Sequence, residues 1–328
     1  MHRTAYLRGA WAILLLSGGV LAQEFNDTGI DHRMPTTTAH KSPGFRYRAV
    51  MSTPPAQYAY AERLRNHGKT RKALKAFRAV VHNWHDSDYA PRAQLAYALL
   101  LERQKKYLEA FKEYQYLVNN FAGDFPYEIV LENQFRIAHH LMTTRQAKFW
   151  KFKGFKASER ALPLFQELVE NAPNWERSAD AQFYIGIIHE GRESYEKAVR
   201  AFEELYFRYP RHERTTEGLF HRAYCLYLIA GERAQDKRAL REAVSALSQY
   251  TRRYPDSTHN IEVARYLGEL KEELAGMYYD IAVYYDTTVV RPKAALIAYR
   301  DFVSRFPTVG AAEEARLRIK SLEEIVTQ

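Results

Sequence analysis

Six alanines do most to restrict how this chain folds. Ala73, Ala110, Ala161, Ala198, Ala243 and Ala295 are each followed four residues later by a bulky side chain: Phe77, Tyr114, Phe165, Phe202, Leu247 and Tyr299. Twelve residues after each alanine stand His85, Ala122, Pro173, Pro210, Pro255 and Pro307. Just before these come Trp84, Phe121, Ala172, Tyr209, Tyr254 and Phe306. Residues four apart lie on one face of a helix. A small alanine lets a partner helix approach, and the bulky residue one turn on fills the space beside it. Proline then ends the helix, because it has no amide to donate and clashes with the turn before it. The pattern therefore predicts six buried helices in tandem.

The anchor spacings are 37, 51, 37, 45 and 52 residues, so the repeats carry insertions of different size. The 51 holds a basic aromatic stretch, "KFWKFKGFK", and the 45 a polar loop at 230–238. The 52 holds a proline-free run, Thr258 to Thr287, long enough for one helix of about 45 Å. Asp256 or Ser257 is expected to cap that helix.

The first 55 residues lack this order. Arg3 and Arg8 precede an apolar run, Trp11 to Leu16, and then small residues up to Ala22. This reads as a signal peptide, 1–22, with cleavage after Ala22. The run is too short to span a bilayer. No cysteine follows Ala22, so the residue that would carry an N-terminal lipid is missing. Residues 23–54, with Pro35, Pro43 and Pro54-Pro55, read as a flexible lead, and 55–328 as the repeat domain, with the basic aromatic insertion at 143–158.

Net charge is +9, or +7 without Arg3 and Arg8. Residues 145–160 hold Arg145, Lys148, Lys151, Lys153, Lys156 and Arg160 against Glu159 alone. Basic charge is thus local, and a nucleic-acid footprint over the whole chain is absent. Lys148, Trp150, Lys151, Lys153 and Lys156 are candidate contacts for an acidic partner or an anionic membrane surface, with the rings packed inward and the ammonium groups outward. The single cysteine, Cys225, lies among Leu219, Tyr224, Leu226 and Leu228 and reads as a buried structural thiol.

Ile185, Gly186, Tyr195, Ala198, Phe202 and Pro210, and likewise Tyr97, Ala98, Tyr107, Ala110 and Tyr114, resemble the signature of the tetratricopeptide repeat. That resemblance implies an all-α fold of about six helix pairs stacked into a right-handed α-solenoid. The C-terminal third resembles the BamD-like family more narrowly. It has Tyr254-Pro255-Asp256-Ser257, then Leu267, Leu270 and Leu274-Ala275, then Ile281-Ala282 and Tyr284-Tyr285, and closes on Phe306-Pro307-Thr308. The resemblance implies a periplasmic scaffold at the inner face of the outer membrane. Its implied partners are the barrel-assembly subunits and unfolded outer-membrane proteins. A general exported repeat adaptor of the cell envelope is the alternative reading, and a peripheral membrane or cell-wall polymer binder acting through 145–160 is another.

No catalytic motif stands out: there is no GxSxG, HExxH, Walker loop or Rossmann glycine set. The repeats also leave no room for the catalytic domain of a muramidase. His82, His85, Asp86 and Asp88 read as a polar helix end rather than a metal site, and His139-His140 point apart. The expectation is a binding protein with no enzymatic activity, cofactor or metal. The first helix of each pair usually lines the binding face of such repeats. The candidates for a peptide groove are Arg92, Leu95, Leu99, Glu102 and Arg103 in the second pair, and Asp180, Phe183, Ile187 and Glu190 in the fourth.

Overall fold

The anchor spacing is realised as helices in a computed structural model, which describes residues 47–144 and 157–327. Thirteen α-helices and no strands occur among the described residues. They run as α1 (Pro54–Asn66), α2 (Thr70–Asn83), α3 (Tyr89–Arg103), α4 (Tyr107–Asn120), α5 (Tyr127–Thr143), α6 (Ala157–Asn171), α7 (Ser178–Glu190), α8 (Tyr195–Arg208), α9 (Arg214–Glu232), α10 (Lys237–Arg253) and α11 (Asn260–Val283). A π-helical turn, Tyr284–Thr288, leads to α12 (Pro292–Arg305) and α13 (Ala311–Thr327). The odd-numbered helices from α1 to α11 begin the pairs, the even-numbered ones complete them, and α13 packs on α12. The fold is an all-α repeat solenoid. The chain divides after Ile137 into two compact units.

All six anchor alanines are fully buried, as are Phe77, Tyr114, Phe165, Phe202 and Leu247. The aromatic residues before the predicted ends are C-caps: Trp84, Phe121, Tyr209, Tyr254 and Phe306 each follow the last helical residue. The long run after Pro255 is α11, 24 residues, and its π turn. The polar loop at 230–238 is shorter than expected. Ala230, Gly231 and Glu232 continue α9, and only residues 233–236 lie between helices. Asp236 caps α10, accepting from the amide of Arg238 at 2.8 Å.

Three repeated devices escape a reading by apolar period. The residue five before an anchor has positive φ at Gly68, Lys105, Glu193 and Val290. It lets the chain reverse between the two helices, and only the first copy uses glycine, which adopts this conformation without a Cβ penalty. Sixteen residues before three anchors stands a buried glutamine. The Nε2 of Gln57 donates to the carbonyl of Ala76 at 3.2 Å, that of Gln94 to Glu113 at 3.0 Å and that of Gln182 to Ala201 at 2.9 Å. Each bond crosses from the first helix of a pair to the second and satisfies an amide that would otherwise cost about 1–3 kcal/mol to bury. Six residues after the residue that follows three helix ends, a polar side chain reaches back: Ser178 donates to the carbonyl of Ala172, Thr215 to Tyr209 and Asn260 to Tyr254. The cap expected from Asp256 or Ser257 at the start of α11 is not formed: the N-cap residue is His259, with no side-chain cap bond, and Asn260 serves the carbonyls at the end of α10. Ser257 instead hydrogen-bonds the Tyr250 hydroxyl at 2.7 Å.

Residues 47–53 belong to the folded body, not to a flexible lead. Tyr47 stacks on His82 at 3.8 Å, and its carbonyl accepts from Asn83 at 2.7 Å. The amides of Val50 and Met51 both donate to Gln57 Oε1 at 2.9 Å. The expected signal peptide and the rest of the expected lead, up to residue 46, lie outside the described residues.

Candidate functional site

On the first-helix face of the N-terminal unit, α3 presents Arg92 and Arg103 exposed, with Leu95 and Leu99 half-buried. Their spacing of three to four residues gathers them into one stripe. Glu102 lies on the same helix but serves the structure. It accepts from the Tyr114 hydroxyl at 2.8 Å and from Arg136 at 2.5 Å. Asn133 closes the circuit, donating to Tyr114 and accepting from Arg136 at 2.8 Å. Four side chains from α3, α4 and α5 are thereby locked together.

The C-terminal unit repeats that logic on α7. Asp180 pairs with Arg214 of α9 at 3.2 Å, and Glu190 accepts from His221 of α9 at 2.8 Å. Asp180–Arg214 and Glu102–Arg136 both link residues 34 apart, the length of one repeat. The acidic candidates therefore tie neighbouring first helices together. Phe183 is a correction to the expected groove: it is only 4 % exposed, packs in the core beside Phe202, and lies under the Arg214 guanidinium at 5.2 Å. It follows Gln182 directly and shares its inward face, so it is part of the helix-pairing surface. Ile187 remains half-buried at the surface.

Further along this face an aromatic wall was not foreseen. Tyr227 of α9 stacks on Tyr266 of α11 at 4.3 Å, with Tyr224 5.5 Å from the same ring. The Arg265 guanidinium lies 4.5 Å from the Tyr266 ring centre and pairs with Glu269 at 2.9 Å, while the Tyr227 hydroxyl donates to Glu269. Tyrosine offers a broad apolar face and a polar tip, a combination that suits protein contacts. The three-residue interval between Tyr224 and Tyr227 was the available signal. The partner ring, 39 residues on, carried none.

The remaining chemistry is that of a packed scaffold. Burial and neighbouring Glu190 push the Cys225 thiol up, away from the reactive thiolate. Burial raises Glu113 to about 7 despite the bond from Gln94. His82, His85, Asp86 and Asp88 gather at the end of α2, where His85 stacks on Phe121 at 4.7 Å and the Asp86 side chain is open to solvent. Among the described residues no group of three or more His, Cys, Asp or Glu could hold a metal, and no helix is long and apolar enough to cross a membrane. Lys148, Trp150, Lys151, Lys153 and Lys156 lie outside the described residues.

The family model "YfiO: Outer membrane lipoprotein" matches residues 156–324, just over half of the chain, and a tetratricopeptide-repeat model matches 58–125. No curated protein matches. Similar solved structures include a tetratricopeptide repeat protein from Parabacteroides merdae, 13% identical over 82% of this chain and 98% of that one, TM-score 0.31. MamA from Desulfovibrio magneticus is 16% identical over 64% of this chain and all of that one, TM-score 0.28. YrrB, described as a tetratricopeptide protein with an unusual peptide-binding site, is 14% identical over 67% and 94%, TM-score 0.30.

Proposed function

Because the chain belongs to the YfiO family of outer membrane lipoproteins, the BamD-like family its C-terminal motifs resemble, we propose that it is a non-catalytic periplasmic scaffold for assembling and inserting β-barrel proteins into the outer membrane. The family match carries this reading. It runs from residue 156 to 324 and so takes in the whole aromatic wall on α9 and α11. Such repeat folds work as protein-interaction scaffolds. The first helices offer two kinds of contact. Arg92, Leu95, Leu99 and Arg103 mix charge with apolar surface on α3, and Ile187, Tyr224 and Tyr227 extend apolar surface on α7 and α9. Alternating charged and apolar positions fit an extended or hairpin segment of a partner chain. The ties through Glu102, Asp180 and Glu190 hold neighbouring first helices in register, which lowers the ordering cost of binding.

Copurification tests this. Tagged full-length protein from envelope extracts should recover the barrel-forming assembly subunit. Its repeated absence, with a different stable partner in its place, would make the chain a general envelope adaptor. The basic excess at 145–160 favours an additional contact with an acidic partner or anionic headgroups. Flotation with anionic vesicles at low salt, lost at high salt, is the expected sign of a headgroup contact. Failure to float at low salt rules direct membrane binding out.

A further inference from the structure

A second interaction surface lies on the C-terminal unit away from the residues used above. The ends of α8 and α10 flank α9 and leave a cleft of about 380 Å³. Its walls are Tyr206 and Phe207 from α8, Leu219 from α9, and Tyr250, Arg253 and Tyr254 from the end of α10. Phe207 is 76 % exposed, an unusual place to leave a phenyl ring beside a concave surface.

The electrostatics of the cleft are asymmetric. Arg222 enters it, but Glu203 neutralises that charge at 2.8 Å. Arg253 has no such partner. Its guanidinium donates to the Tyr206 hydroxyl at 2.9 Å and lies 5.1 Å from the Tyr206 ring centre and 5.7 Å from that of Tyr254. Among the described residues no carboxylate pairs with it. Exposed Arg208, Arg211 and Arg252 stand at the same two helix ends together with exposed Glu204, Glu213 and Asp256, so the asymmetry lies at Arg253 itself. A guanidinium framed by rings holds its geometry and keeps donors to spare. The cleft therefore has an apolar aromatic slot and one uncompensated cation at its wall.

We propose that this cleft binds an acidic, extended segment of a partner protein, seating one apolar or aromatic side chain between Phe207 and Tyr250 while a neighbouring carboxylate pairs with Arg253. Charge complementarity selects the acid, and the rings select the apolar neighbour. The volume is at the lower end of small-ligand pockets, about 300–1,000 Å³, and suits one or two side chains. A free phosphate fits the site poorly, since it would use one guanidinium and leave the aromatic walls bare. This surface is independent of the first-helix reading, and either can fail alone.

The test uses the full chain and a fluorescein-labelled peptide of alternating Glu and Phe, read by anisotropy. Its Gln-Phe counterpart, inorganic phosphate and phosphatidylglycerol vesicles serve as competitors. Wild type should bind the acidic peptide at least tenfold more tightly than the neutral one. Arg253→Gln should remove most of that difference, and Phe207→Ala should weaken both peptides at least fivefold. Both side chains are exposed, so circular dichroism should stay unchanged, and Lys75→Ala, an exposed position on α2 outside both surfaces, should bind as wild type does. Equal binding of the two peptides, or retention by both cleft variants, overturns the proposal. So does displacement by phosphate or vesicles in preference to acidic peptide, which would assign the cleft to an anion or a lipid surface.

Discussion

At the scale of single residues, tight packing decides more than helix propensity. A Cβ added to Gly186 would lie 2.4 Å from Cε1 of Phe202, a fully buried ring with no room to retreat. Gly186→Ala gains about 1 kcal/mol of helix propensity but overpacks the pair by about 1–3 kcal/mol. We expect net destabilisation of up to about 2 kcal/mol by urea denaturation. An unchanged midpoint would mean that the pair opens easily. Val290 presents the opposite case: a β-branched residue held at φ 53, a conformation that is strained for its type. Val290→Gly should stabilise the protein by about 1 kcal/mol. Glu113 sets a pH dependence. Its folded value is near 7 against an ordinary 4.5, so the folded state holds a proton that the unfolded chain has lost between those limits. The stability it contributes is full below about 4.5 and is lost as pH rises through about 7. Glu113→Gln keeps an acceptor for Gln94 without the charge. It should stabilise by up to about 3 kcal/mol at pH 8.5 and by almost nothing at pH 4.5.

At the scale of elements, the helices were legible because their signal repeats. Alanine, a bulky residue one turn later and an aromatic-proline exit recur in register, and each maps to the same place in a helix pair. The bonds that join the helices were less legible. Gln57, Gln94 and Gln182 look like surface residues in isolation, and their partners are backbone carbonyls 19 residues away, which leave no mark on sequence. The groove candidates were half legible for the same reason. Spacing placed Arg92, Leu95, Leu99, Arg103 and Ile187 on the surface, but it could not show that Glu102, Asp180 and Glu190 were already engaged or that Phe183 turned inward. One such bond secures the last helix. Arg318 of α13 donates to both Asp286 oxygens at 2.6 and 2.7 Å, and Asp286 is almost buried in the π turn. Arg318 holds the Asp286 carboxyl below its ordinary value, so this contribution is present at neutral pH and lost on acidification through the lowered value. Asp286→Ala should speed amide exchange across α13 at least tenfold while α7 and α8 stay protected. Uniform exchange in all three helices would contradict a local role.

At the scale of the whole molecule, the account separates building from binding. Alanines, glutamines and acidic ties build the repeats, and the proposed binding surface is the set of first-helix positions they leave open. The most direct measurement places a photoreactive amino acid at Leu99, Ile187 or Tyr227 on first helices, and at exposed Lys75 on α2 and Lys293 on α12 as second-helix controls, in cells of the source organism. The account predicts crosslinks to a shared envelope partner, the barrel-forming assembly subunit or an unfolded outer-membrane protein, from the first-helix positions and few or none from the controls. Crosslinks of equal strength from both sets, or from the controls alone, would contradict the assignment of the first-helix face as the scaffold's working surface.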